Sequence, residues 1–194
     1  MSIRSKAWSW NATEQDWWAF YPCDRHIAPP YREMMRAIDV QAPVEVVYRW
    51  ICQLKLAPYS YDWIDNFGRR SPRQLTPGAE HLEVGESLGI GPIVEFEQNH
   101  HLTAVADERF AKIFGALSVT YLAKPTGAAS SRLVIKLDMG CRGWWEQVRV
   151  SALAWGDLIM TRKQLLTLKA LAEETAQGAG EARPVGVGAG VGAA

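Results

Sequence analysis

The segment Tyr59-Ser60-Tyr61-Asp62-Trp63-Ile64-Asp65-Asn66-Phe67 gathers the side chains best suited to hold or process an organic ligand. On a helix, Tyr59, Trp63 and Phe67 share one face while Asp62 and Asn66 share another. The rings offer flat apolar contact, and Asp62 or Asn66 offers an oriented hydrogen bond to a carbonyl or hydroxyl. Tyr61 and Asp62 are the candidate catalytic residues, because either can shuttle a proton. The competing reading makes the aromatics part of the core and Asp62 a cap for backbone amides.

The remaining chemistry is scattered. His100 and His101 are adjacent, so on a strand they point to opposite faces and cannot share one metal ion. His26 and His81 stand alone, there is no HExxH, and no metal site or cofactor is expected. One of the paired histidines facing a cavity would be an acid–base candidate; a surface or hairpin role is the alternative. Asp157, beside Gly156, interrupts an apolar stretch, so it is either a ligand-facing group with a raised pKa or the buried partner of an arginine. Asp138 alternates with Leu137 and Met139 and is expected on the opposite face of its strand. Arg69, Arg70 and Arg73 form a basic loop cluster that would suit an anionic group or simply face water. Gly89-Ile90-Gly91 opens no helix and so is no dinucleotide fingerprint. A GxSxG motif, a P-loop and paired cysteines are all missing from the sequence.

Elements that would position these groups can be read from periodicity. Thr13 and Asp16 resemble a capping box for a short helix around 13–20, within an aromatic, proline-bearing arm. Residues 36–41 alternate as a strand, and Val44, Val47, Tyr48, Ile51 and Leu54 recur as an amphipathic helix after Pro43. Period-two sets follow at Leu82/Val84, Val94/Phe96, Leu102/Ala104, Leu117/Val119/Tyr121 and Leu133/Ile135/Leu137/Met139, with hairpin-length connectors that imply an antiparallel sheet. Residues 144–175 read as one long helix. Its middle is apolar on most of its circumference, which calls for a cover beyond the sheet. The Trp-rich residues 8–21 are the expected cover, with a homodimer interface as the competitor. The Gly/Ala-rich stretch from 178 reads as a disordered tail.

Composition sets the outer bounds. The chain has 194 residues, 21 Lys+Arg against 21 Asp+Glu, nine Trp and three Cys. One globular domain is expected, and zero net charge argues against nucleic acid or an anionic membrane as partner. Three distant cysteines suggest no disulfide framework and fit a reducing cytoplasm. No run approaches the roughly 18–20 apolar residues of a membrane span, and the N-terminus is no secretory signal.

The stretch from Arg36 to Trp50, with Ala42-Pro43-Val44-Glu45-Val46-Val47-Tyr48, resembles the opening strand, "APPEVVW" and helix of the START/polyketide-cyclase (SRPBCC) superfamily. Tyr59 to Asn66 resembles the "YSYDWLEN" segment of one largely uncharacterised bacterial subgroup, and Trp10-Asn11-Ala12-Thr13 is similar to the "WGAT" of its N-terminal arm. Leu54-Lys55-Leu56-Ala57-Pro58 departs from that group, whose members carry glycines there. The resemblance implies an α+β helix-grip fold: a curved antiparallel sheet around a long C-terminal helix, with an apolar cavity between them. It divides the chain into an arm (1–34), a helix-grip domain (35–176) and a tail (177–194). With that fold, Tyr61 and Trp63 are expected at the cavity mouth, with Asp62 or Asn66 hydrogen-bonding the ligand, and Phe96, Val119, Tyr121, Ile135, Leu137, Trp155 and Ile159 on the wall, with Trp144 and Val148 on the same helix face. The expected function is binding of a small hydrophobic or aromatic metabolite, such as a lipid, quinone or polyketide. A polyketide cyclase, aromatase or dehydratase is the alternative, and the protein would act as a monomer or homodimer.

Overall fold

The computed structural model describes residues 6–61, 63 and 68–181. The expectations for Asp62 and Asn66, and for most of the Gly/Ala stretch, lie outside the described residues. The architecture is the helix-grip α+β arrangement. Strands β1 (Ser9–Trp10), β2 (Tyr31–Val40), β3 (Ile93–Glu97), β4 (His101–Val105), β5 (Leu117–Gly127) and β6 (Ser130–Gly140) form one sheet in the order β1-β2-β6-β5-β4-β3. Every neighbouring pair is antiparallel except β1, which lies parallel to β2. Helices α1 (Glu14–Trp18), α2 (Val44–Cys52) and α3 (Glu108–Phe114) are short, whereas α4 runs from Trp144 to Glu181. Its 38 residues span ~57 Å at ~1.5 Å per residue, and it continues beyond the 176 boundary expected for the folded part. No helix among the described residues is long and apolar enough to cross a membrane.

The main core lies between the sheet and α2 and α4. Met34 and Ile38 of β2, Leu133 and Ile135 of β6, and Val119 of β5 meet Val47 and Ile51 of α2 and Leu165 and Leu168 of α4 there. Leu82 and Val84 form no strand. Leu82 is buried but Val84 is 67% exposed, so the two do not share a face as period-two partners must. The structure adds α3, capped by Asp107, whose carboxylate accepts from the Phe110 amide at 2.7 Å.

The arm takes a different course from the one expected. Trp8 and Trp10 pack on the edge of the main core, but residues 12–23 turn onto the opposite side of the sheet. The reason is the second face of the strands: Met35, Ala37, Leu122 and Val134 are apolar and would otherwise meet water, and Tyr21 and Cys23 cover them. Charges latch this cover. Arg132 holds Asp16 and Asp39, each at 2.7 Å, and Asp16 also completes the capping box with Thr13. Burial alone would raise the Asp16 pKa, yet hydrogen bonds from Arg132 and Thr13 bring it below the ordinary value. The cover expected over α4 is therefore not supplied by the arm: Trp144, Trp145, Val148, Trp155 and Ile159 are all more than half exposed.

Under the arm lies a charged group of a less settled kind. Asp138 projects from the outer face of β6 and is fully buried, with Lys136 Nζ 3.9 Å away. Lys136 pairs more closely with Asp24 and Glu33. Burial, reinforced by Asp24, pushes the Asp138 pKa from 3.8 to about 7. The native state thus holds a proton that the unfolded chain has lost between roughly pH 4 and 7, so this group's contribution to stability falls as pH rises through that window. Asp138→Asn, which stays neutral, is expected to match the wild type below about pH 4 in urea titrations and to be more stable than it by about 2–4 kcal/mol at pH 8.5.

Candidate functional site

A cavity of about 760 Å³ lies between the sheet and α4. Its sheet wall consists of Leu117, Val119 and Tyr121 from β5 and Ile135, Leu137 and Met139 from β6, the inward-facing sets of two paired strands. Leu54–Pro58 and Ser60 close one side, Phe110 and Phe114 of α3 a second, and the turn Leu88–Ile90 a third. That turn can approach because Gly91 has no side chain: a Cβ there would stand 2.1 Å from the Val105 carbonyl oxygen. The glycine pair flanking Ile90 thus shapes a cavity wall.

The helix wall is set by one buried ion pair. Arg36 is 1% exposed and points from β2 toward α4, where its guanidinium donates to Asp157 Oδ2 at 2.9 Å and to the Ala154 carbonyl at 3.4 Å. It also donates to the carbonyl of Ala7 at 2.6 Å, tying in the start of the arm. Two readings of Asp157 from the sequence therefore meet in one residue, which is an arginine partner and lines the cavity. Burial pushes its pKa up, opposed by Arg36 and by the Thr161 hydroxyl, which donates to it at 2.8 Å.

With Asp157 turned inward, the face presented to the cavity is Leu153, Gly156, Asp157, Met160, Thr161 and Gln164. Asp157, Thr161 and Gln164 recur at i, i+4 and i+7 as a polar stripe opposite Tyr121. The Tyr121 hydroxyl donates to Gln164 Oε1 at 3.2 Å, and Gln164 Nε2 donates to the Pro58 carbonyl at 2.6 Å. Burial, with Asp157 nearby, raises the Tyr121 pKa well above its ordinary value, so the hydroxyl stays protonated. The site is an apolar chamber with one wall of oriented donors and acceptors.

Of the residues named from the sequence, Val119, Tyr121, Ile135 and Leu137 lie together on this wall. Phe96 packs against the main core but is not a lining residue. Trp155 and Ile159 face the other way, at 54% and 57% exposure, as do Trp144 and Val148. The apolar circumference of α4 concealed its phase, and the polar residues at 157, 161 and 164 carried the signal of it. Trp63 is 75% exposed, and Tyr61 is half-buried and not on the wall. Tyr59 belongs to the core, edge-on to Trp50 at 5.8 Å between ring centroids, with its hydroxyl accepting from Gln53. Arg69, Arg70 and Arg73 are exposed on their loop. Neither His100 nor His101 lines the cavity. The rings do not diverge as strand alternation would require: His100 lies in the β3–β4 turn, and the two Nδ1 atoms are 3.2 Å apart. The α3 phenylalanines were missed, although Asp107 followed by Phe110 and Phe114 is a capped i, i+4 pattern.

No family model and no curated protein matches the chain. Among solved structures it is similar to a protein from Mesorhizobium loti, at 18% identity and TM-score 0.48, covering 74% of this chain and 98% of that one. It is also similar to the di-domain ARO/CYC StfQ from the steffimycin biosynthetic pathway, at 13% identity and TM-score 0.48, covering 76% of this chain and 52% of that one. A third is norcoclaurine synthase from Thalictrum flavum in complex with dopamine and hydroxybenzaldehyde, at 13% identity and TM-score 0.43, covering 80% and 90%. The chain spans about half the length of the di-domain structures it matches.

Because Arg36 is buried, removing its carboxylate leaves a desolvated charge. Asp157→Ala is expected to cost about 3 kcal/mol of unfolding free energy in urea. A loss below about 1 kcal/mol would mean that the carbonyls of Ala7 and Ala154 satisfy the guanidinium by themselves.

Proposed function

We propose that the protein binds a small hydrophobic or aromatic metabolite bearing at least one hydroxyl or carbonyl group, in the cavity between the sheet and α4. The observation that carries this reading is the pairing of a 760 Å³, mostly apolar chamber with a polar stripe on its helix wall. That volume lies within the roughly 300–1,000 Å³ of small-molecule sites, which are mostly apolar with a few placed polar groups. Burial of the ligand's apolar surface supplies the drive, at about 25 cal/mol per Å² before the costs of association. Direction comes from Tyr121 and Gln164, whose hydrogen bond to each other can be exchanged for one to the ligand. Asp157 accepts from a ligand hydroxyl without leaving Arg36, because a carboxylate has room for several donors.

Aliphatic lipids, quinones and polyketide-like aromatics all meet this description, and the polar stripe distinguishes them by the position of their oxygens. Displacement of the neutral fluorophore N-phenyl-1-naphthylamine provides the test. The wild type is expected to bind the probe, Leu137→Trp to weaken it at least about tenfold by filling the chamber, and Tyr121→Phe to leave it unchanged while weakening displacement by hydroxylated aromatics. Equal probe binding by the wild type and Leu137→Trp would locate the probe elsewhere and remove the support for this reading.

A further inference from the structure

The β3–β4 hairpin brings together ligand-type side chains that have no part in the cavity. Glu97 ends β3 and pairs in register with His101, the first residue of β4, while His100 precedes it in the turn, where Asn99 takes a φ of +60°. This tight reversal turns the His100 ring back over its neighbours. His100 Nδ1 lies 3.1 Å from Glu97 Oε2 and 3.2 Å from His101 Nδ1, and His101 Nδ1 lies 3.8 Å from Glu97 Oε2. An ion held by tetrahedral ligands at about 2.0–2.1 Å has ligand–ligand edges of about 3.3–3.5 Å. The three atoms form a triangle of that size.

Two further features point to an ion. His101 is 6% exposed, and its other ring nitrogen, Nε2, has no hydrogen-bond partner; the nearest carboxylate, Glu95 Oε1, is 3.7 Å away. A metal-bound imidazole usually donates its second nitrogen to a carboxylate; Glu95, too distant at 3.7 Å to accept now, is the side chain placed to do so. Glu95 itself is held by Arg25 at 2.5 Å and by His26 at 3.3 Å, so its charge is balanced and that of Glu97 remains for the ion. The other cluster of this kind among the described residues, Cys23, Asp24 and Asp138, already contains the ammonium of Lys136.

We propose that Glu97, His100 and His101 form a binding site for a divalent transition metal, of which zinc fits best. Two imidazoles and one carboxylate are borderline ligands that suit zinc over calcium or magnesium. Three protein ligands leave one position open to water or to an added ligand. The site stands on the outer side of the sheet and does not depend on what the cavity binds.

The test uses untagged full-length protein stripped with EDTA and titrated with zinc chloride by calorimetry, with cobalt(II) absorption as a second readout. The wild type is expected to take one zinc ion per chain and to give the visible bands of a four-coordinate cobalt site. Glu97→Gln and His100→Asn each change an exposed residue and are expected to melt like the metal-free wild type. Each should weaken zinc binding by on the order of 100-fold, whereas His81→Asn should leave it unchanged. Zinc should raise the Tm of the wild type and of His81→Asn, and not that of Glu97→Gln or His100→Asn at the same concentration. Failure of the wild type to bind a stoichiometric ion would overturn the proposal, as would equal affinity in the Glu97→Gln/His100→Asn double variant or loss of the site in Cys23→Ser.

Discussion

The contact between Arg36 and Asp157 governs more of this molecule than any other single interaction. A guanidinium projecting from a strand into the layer beneath a helix must find an anion and several carbonyls. It finds Asp157 and Ala154 on α4 and Ala7 at the start of the arm. That requirement fixes the rotation of α4 about its own axis. Once Asp157 faces the sheet, Thr161 and Gln164 follow into the cavity and Trp155 and Ile159 must face outward. The polarity of the chamber and the apolar stripe on the opposite side of α4 are two results of one ion pair.

A second constraint acts on the sheet, which is apolar on both faces in its middle. One face is met by α2 and α4. The other is met by the arm, held by Arg132 and Lys136, which point outward from β6 into carboxylates on the arm and on β2. The arm's aromatic content therefore serves the sheet more than the helix. Its first residues remain on the β2 edge, where Arg32 lies over Trp8 and Arg162 over Trp10.

The two sites argued above occupy opposite sides of this layered arrangement. The two long walls of the cavity are built by periodic elements, each contributing its inward set, and so inherit the regularity of strands and helix. The hairpin cluster is built by a turn, where regular alternation ends and adjacent side chains can converge. Backbone geometry explains why neighbouring histidines that would diverge on a strand meet here.

How much of this was legible in the sequence depended on the range of the interactions involved. The Thr13–Asp16 capping box, the strand and helix around Pro43, the inward sets of β5 and β6, and the outward placement of Asp138 are local or periodic facts, so composition and spacing were enough. Resemblance to a known superfamily supplied the order of layers that periodicity leaves open. The phase of α4, the course of the arm and the convergence of Glu97, His100 and His101 needed tertiary structure. A helix apolar all round has no moment to orient it, so a partner 121 residues away in Arg36 decided its rotation. The arm's destination turned on which surface had no other cover, a property of the assembled sheet and of no segment alone. In the hairpin, a turn of three residues outweighed strand alternation because its dihedral angles, and not its residue types, set where the rings point.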